Sequence, residues 1–154
     1  MLLTQLDQLL SELLRRVVRS ADPTGSEAAH ARLFSAPSLD AGEAEFVEDW
    51  RSYVEPELQH LFQSALEIIE RDLKTLRMDH QLGEAKLTIP VGHLESWIHG
   101  LNQARLTLAA RHDFREKEMD RALSFAGDER SYALLQMRFY GILQELFLRE
   151  LESE

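Results

Sequence analysis

Two polar side chains on one predicted helix are the residues of this chain best placed to do chemistry. Asn102 and Arg105 lie three positions apart among the apolar neighbours of residues 96–109, a segment of strong helical character. This spacing brings an amide and a guanidinium side by side, and burial would oblige both to find partners. One reading is a polar pocket in which Arg105 binds an anionic group. The reading we favour is a buried tie, in which Arg105 pairs with an acid of the long or the terminal helix and Asn102 bonds a backbone carbonyl.

Histidines and carboxylates raise a second chemistry, metal binding. The pattern Glu-x-x-His occurs twice, as Glu27 with His30 and as Glu57 with His60, and ferritin-like bundles hold two metal ions with such pairs. A motif this short also arises by chance, and the first pair lies in a short segment bounded by prolines. We therefore expect no metal site, no cofactor and no catalytic residue. The absence of a phosphate loop, a nucleophile elbow and a zinc-protease helix points the same way.

The charge of the chain argues against nucleic-acid binding. Acidic residues outnumber basic ones by 27 to 17, for a formal net charge of −10, whereas a protein that binds phosphate backbones needs a basic field. The absence of cysteine excludes disulfides and thiolate chemistry. No apolar run reaches the roughly 18 residues that a membrane span needs, and the N-terminus lacks a secretory pattern. We expect a cytoplasmic protein that contacts neither membrane nor nucleic acid.

The elements that must position these side chains are predicted to be helices. Apolar residues recur with three–four spacing over residues 1–18, from Asp40 to about Asp79, over 91–111 and over about 128–152. Pro56 interrupts the second pattern, and proline removes a helix donor. We expect a kink there rather than the start of a new helix, because the apolar face crosses the proline without a polar gap.

The fold class predicted from these patterns is all-α. Residues 84–90 read as an extended connection without enough partners to make a sheet, and short helices are expected at about 24–32 and 116–123. We predict one domain over residues 1–154, a bundle of about four main helices plus short helices. The terminal helix should lie at its centre, because its polar residues form one narrow stripe, namely Arg138, Glu145, Arg149 and Glu152.

The central segment resembles a known family. The pattern Trp97-x-x-x-Leu101-Asn102-x-x-Arg105-Leu106-x-Leu108 is similar to the central motif of a bacterial, all-helical family of unknown function. Residues 22–34 and 140–145 resemble that family's N-terminal half and its last helix. The resemblance implies an intracellular helical protein without an established activity. It also implies a gene often encoded beside the Clp protease adaptor, and some members carry the label of transcriptional regulator.

These observations predict a non-enzymatic protein–protein interaction or regulatory module, and the resemblance adds a link to regulated proteolysis. The first and last helices offer more apolar face than one small bundle hides, which predicts a protein partner or a homodimer that buries roughly 2,000 Å² or more. One alternative is a transcriptional regulator, although the acidic charge opposes it. The other is a bundle that binds a metal or a small anion at its histidines or at Arg105.

Overall fold

The computed structural model describes residues 1–35, 40–119 and 127–153, and most of these residues are helical. In chain order the helices are α1 (Gln8–Arg15), α2 (Val17–Ala21), α3 (Glu27–Leu33), α4 (Ala44–Tyr53), α5 (Glu55–Leu73), α6 (Leu94–His112), α7 (Glu116–Met119) and α8 (Glu129–Glu152). The strands are β1 (Leu2–Leu6), β2 (Arg77–Asp79) and β3 (Glu84–Thr88). A 3-10 turn precedes α4 and another precedes α6.

A small antiparallel sheet corrects the all-α prediction. Its strand order is β1-β3-β2, with Leu3 opposite Leu87 and Met78 opposite Ala85. The extended connection predicted at 84–90 is therefore the central strand of a sheet. Its two partners come from segments that the periodicity assigned to helices, the start of the chain and the end of the long helix.

The leucine spacing of the first residues allows either a helix or a strand. Pairing with β3 favours the strand, which is β1. Leu3 and Leu6 are buried and three residues apart, which suits a helix, but an irregularity in the pairing between them lets a strand bury both. Gln5 takes up this irregularity with a positive φ of 58°. Asp7 then begins α1, since its carboxylate accepts a hydrogen bond from the backbone N–H of Leu10 at 2.8 Å.

The structure ends one helix and begins another just before Pro56, where the sequence favoured a kink within a single helix, and one residue separates the two. α4 ends at Tyr53 and α5 begins at Glu55, so that the proline occupies the first turn of α5, where its missing N–H removes no helical bond. The residue between them, Val54, keeps helical backbone angles, and its N–H donates to the carbonyl of Trp50 at 2.8 Å. α5 ends at Leu73, short of the predicted Asp79.

The centre of the fold is α6, and the prediction that the terminal helix lies there is wrong. α6 packs against α2, α3, α5 and α8, and Trp97 and Leu101 are fully buried. α5 crosses α6 at Gly100, where a Cβ would overlap Cδ1 of the buried Ile69. The close contact of the two helices therefore requires a glycine at this position. α8 covers one side of α6 and leaves its own opposite face to solvent, with Ile142 62 % exposed.

The short helices follow the sequence with small differences. α3 is capped by Ser26, whose hydroxyl accepts a hydrogen bond from the N–H of Ala29 at 3.2 Å. The helix predicted at 116–123 is present as α7, and residues 120–123 lie outside the described residues, as does Pro37. None of the described helices has the length and apolar character that crossing a membrane requires.

Candidate functional site

The structure separates Asn102 from Arg105. Both residues belong to α6, but the side chain of Asn102 is exposed whereas Arg105 is half-buried against α8. Nη1 of Arg105 donates to Oε1 of Gln144 at 2.7 Å, and Nε2 of Gln144 donates in turn to the carbonyl of Ile98 at 3.0 Å. Arg105 thus joins α6 to α8 through a neutral amide, where the sequence predicted an acid.

The guanidinium of Arg105 packs against α8 at Gly141. A Cβ on this glycine would lie 3.4 Å from Cζ of Arg105, which is an ordinary van der Waals distance. The Nε atom is buried and has no hydrogen-bond partner among the described residues. The surroundings of Arg105 are two helix surfaces in contact, and Asn102 contributes nothing to them.

A buried carboxylate on α5 is the polar centre that the sequence did not indicate. Asp72 is 4 % exposed. Its carboxylate oxygens lie 2.9 and 3.0 Å from Nδ1 of His93, and Nε1 of Trp97 donates to one of them at 2.9 Å. The available signal was the i, i+4 spacing of His93 and Trp97, two ring donors on one helical face. The acid that completes the set is distant in sequence, and only the packing of α5 on α6 brings it there.

This cluster holds two elements together and leaves one nitrogen of the imidazole free. The contact with the carboxylate favours the proton on Nδ1 of His93, which makes Nε2 the acceptor. An imidazole oriented in this way can act as a base when a nucleophile lies beside Nε2. Among the described residues, no hydrogen bond joins Nε2 to a hydroxyl or amine. The arrangement therefore favours a structural role, in which hydrogen bonds hold α5 against the start of α6.

The two Glu-x-x-His pairs lie on exposed surfaces. Glu27 and His30 belong to α3, Glu57 and His60 belong to α5, and all four residues are exposed. Within the described ranges, no three His, Cys, Asp or Glu side chains lie close enough together to hold a metal ion. His30 instead faces Glu55 across 3.6 Å and links α3 to the start of α5.

Of the exposed large apolar side chains that the structure describes, four lie in a region that spans α4 and the first half of α5 and that we call the arm (residues 42–64). Every residue of the arm is exposed or half-buried. Its exposed apolar side chains include Phe46, Tyr53 and Leu61, which leave 55, 73 and 62 % of their surface open. The arm is joined to the body by the His30 contact and by the rings of Phe34 and Phe62, whose centroids lie 5.5 Å apart.

A second apolar stripe follows the outer face of α8. Its members repeat at four, three and four residues, and the two at its C-terminal end are the more exposed. They are Leu135, Phe139, Ile142 and Leu146. The charged residues predicted as the polar stripe, Arg138, Glu145 and Arg149, flank it on one side, and Arg149 donates to Glu145 at 2.7 Å.

Comparison with known proteins gives the chain a family and no activity. The family model described as "Domain of unknown function (DUF2017)" matches residues 1–151. No curated protein and no solved structure matches the chain. Since the family model covers nearly the whole sequence, the chain belongs to the DUF2017 family.

Proposed function

We propose that this protein is a non-enzymatic module that acts by binding another protein through its arm. The observation that carries the proposal is the absence of any buried residue between 42 and 64, where all residues belong to the described chain. Short helices in water gain most of their stability from packing an apolar face. An amphipathic helix such as α4, which has no buried residue within its own chain, is typical of a segment that packs against a partner.

The apolar residues of the arm form one continuous surface. On α4, Phe46, Trp50 and Tyr53 recur at four and three residues and so share one face. Val54 and Leu61 extend that face past the break, with 41 and 62 % of their surface exposed. Large aromatic side chains are the residues that contribute most when an interface excludes water. The arm surface, defined by these five side chains, therefore has the composition of a contact site.

The charge around the arm surface indicates the chemistry of the partner. Residues 43–57 contain six carboxylates and one arginine, so this stretch carries a formal −5 of the chain's −10. Glu55 is engaged with His30, while Glu45, Glu48 and Asp49 stand exposed on α4. Complementary charges steer association and reject wrong partners. The partner is accordingly a protein with an apolar groove rimmed by lysine or arginine.

This acidic surface also bears on the alternative functions. A transcriptional regulator would have to bring a strongly negative arm close to a negative phosphate backbone, which opposes binding. The link to regulated proteolysis rests on the gene neighbourhood that the family resemblance implies, and the arm would be the contact used by a component of that machinery. Cytoplasmic location belongs to the same proposal.

Site-specific cross-linking tests the arm. A photoreactive amino acid replaces Tyr53 in the full chain, and captured proteins are identified by the peptide that is cross-linked. We expect one partner, cross-linked through a basic and apolar segment, whose capture falls as salt is raised. Phe46→Ser combined with Leu61→Ser should weaken it at least about tenfold, which corresponds to about 1.4 kcal/mol.

The matched control is Leu82→Ser, which removes an equally exposed leucine (67 %) from the turn between β2 and β3, away from the arm. This variant should capture the partner like the wild-type chain. Scattered cross-links without a common partner, or equal losses in both variants, would show that the arm is not a contact site. Cross-links to a second copy of the chain would replace the foreign partner with self-association through the arm.

Self-association is a second proposal, and it rests on α8. The leucines of the first segment give it less support, because Leu2 and Leu9 are exposed but four others are buried within the chain, namely Leu3, Leu6, Leu13 and Leu14. The outer stripe of α8 does support it, since Ile142 and Leu146 are exposed on this 24-residue helix, whereas Leu135 and Phe139 are half-buried. Its flanking charges of both signs allow two copies to face each other.

A further inference from the structure

A cavity lined by three arginines opens between α2, α6 and α8. Its volume is about 500 Å³, and Arg16, Arg19 and Arg111 contribute to its wall. The three residues come from different parts of the fold, the junction of α1 with α2, α2 itself and the end of α6. In a chain with ten more acids than bases, the wall of this cavity carries three arginines against two acids, Asp22 and Glu129.

Two of the three arginines are fixed in place by the protein. Arg111 donates through Nη2 to the carbonyls of Asp22 and Thr24, at 2.7 and 2.6 Å. Arg16 donates to Glu12 at 2.7 Å, and its guanidinium lies over the ring of Tyr132 with Cζ 4.8 Å from the ring centre. These contacts restrict both side chains before any ligand arrives, which lowers the entropy that binding must overcome.

The side chain of the third arginine has no partner. Arg19 is exposed on α2, and its guanidinium makes no hydrogen bond or ion pair with any residue that the structure describes. Its planar group of N–H donors matches the geometry of phosphate and carboxylate oxygens. Arg19 is therefore the cation of this cavity that is free to bind an anion.

The carboxylates near the cavity interact with the two fixed arginines. Glu12 pairs with Arg16, and the charge of Asp22 interacts with that of Arg111. None of the carboxylates that the structure describes forms an ion pair with Arg19. The carboxylate of Asp22 is turned into its own loop, where it accepts hydrogen bonds from the N–H and the hydroxyl of Thr24 at 2.9 and 2.5 Å. These bonds hold the pKa of Asp22 below its ordinary value, so the group stays charged but engaged. Glu129 is exposed in the first turn of α8, where the helix dipole attracts its charge.

We propose that this cavity binds a phosphorylated small molecule of about nucleotide size. Clustered arginines favour phosphate groups, because a guanidinium can donate two parallel hydrogen bonds to phosphate oxygens. The volume lies within the range of about 300–1,000 Å³ that is typical of small-molecule sites and exceeds the need of a bare phosphate ion. The site uses none of the arm residues, so its failure and the failure of the proposed function are independent.

Calorimetry on the full chain tests the cavity with inorganic phosphate, pyrophosphate and ATP at constant ionic strength. We expect saturable binding of ATP at one site per chain, tighter than that of inorganic phosphate. Arg19→Gln should weaken the binding of ATP roughly tenfold or more, because it removes the free guanidinium. Arg19 holds no other residue in place, so this variant should melt at the wild-type temperature.

Arg15→Gln is the matched control. Arg15 is exposed at the end of α1, close to Arg16 in sequence, and does not line the cavity. Its variant should bind ATP within about twofold of the wild-type chain, a difference well below 1 kcal/mol. Equal weakening in both variants would show a diffuse attraction of anions to the surface. No saturable binding of any of the three compounds up to about 10 mM would also overturn the proposal.

Discussion

At the scale of single residues, Asp72 does more to define this structure than any residue that the motifs selected. A buried carboxylate is costly unless it is well bonded, and two ring donors of α6 satisfy this one. The sequence could indicate that His93 and Trp97 share a helical face, since they lie four residues apart. It could not supply the acid, because a lone aspartate on the apolar side of α5 resembles many exposed carboxylates until the two helices meet.

The removal of this charge should destabilise the fold. Asp72→Asn keeps the shape of the side chain, but it replaces a charged acceptor with an amide that presents one acceptor and one donor group. The donors of Trp97 and His93 then compete for one oxygen, and a buried donor left unsatisfied costs about 1–3 kcal/mol. Urea unfolding followed by the fluorescence of the chain's tryptophans measures the loss.

The control for this prediction lies on the same helix. Glu70→Gln makes the same chemical change at an exposed position that has no hydrogen bond to any residue in the described ranges. We expect it to change the free energy of unfolding by less than about 0.5 kcal/mol. If Asp72→Asn unfolds at the same urea concentration as Glu70→Gln, the cluster does not stabilise the fold.

For Arg105, the sequence predicted the burial and the contact with another helix, but not the residue that it contacts. The half-buried arginine on α6 and its contact with α8 follow from a cation placed among apolar neighbours on a helix. The identity of the partner did not follow, because Gln144 satisfies the guanidinium as a neutral acceptor and no charge pattern marks it. Asn102 is exposed although Arg105 is half-buried, because residues three apart differ by about 60° around a helix. This difference places the side chain of Asn102 beyond the edge of the buried face.

At the scale of elements, periodicity located the helices and missed the strands. The helices over 91–111 and 128–152 appear nearly where they were predicted, since each is long and strongly patterned. The strands are short. β2 pairs with β3 across a short turn, but β1 pairs with β3 from a distant part of the sequence, with Leu2 opposite Thr88. No local pattern can show that a segment such as Leu2–Leu6 will be needed at a sheet edge.

The two interior glycines of the main helices should respond differently to alanine. Gly100 faces Ile69 of α5, with no room for a methyl group, whereas Gly141 faces the side chain of Arg105 at 3.4 Å or more. Both substitutions gain the same helix propensity, about 1 kcal/mol. The overpacking cost of about 1–3 kcal/mol falls only on Gly100→Ala. Gly141→Ala should therefore be the more stable variant by about that amount.

Thermal and urea unfolding of the two variants side by side checks this difference, and the shared helix gain cancels in the comparison. Equal stability would mean that α5 can move away from α6 at no cost. Such an outcome would contradict the description of α6 as a helix packed tightly on several sides.

At the scale of the whole molecule, the acidic composition turns out to be unevenly distributed. Half of the formal net charge lies on residues 43–57 of the arm, while three arginines line a cavity on the body. Composition predicted an acidic protein with little affinity for nucleic acid, but it could not show that opposite charges are separated in space. This separation gives the two proposed sites opposite chemistries, so that a protein partner and an anionic ligand need not compete.

The outer face of α8 provides the last prediction, which concerns self-association. If two copies of α8 pack antiparallel about an axis near Ile142, Arg138 of one chain faces Glu145 of the partner subunit, and the converse pair forms at the same time. Both the apolar stripe and its charges are then self-complementary, as a two-fold interface requires. We expect sedimentation at micromolar concentration to give twice the chain mass of 17.8 kDa. Ile142→Glu should dissociate the dimer, because it places a charge in an apolar contact.

Leu148→Glu separates this interface from a general effect of charge on α8. Leu148 is 47 % exposed, against 62 % for Ile142, and it lies six residues on, about 120° away around the helix. This variant should remain dimeric, because it is off the stripe. A wild-type mass of one chain at every concentration would contradict the dimer. Dissociation by both variants would place the contact elsewhere on α8. The arm proposal survives either outcome, because none of its residues lies on this helix.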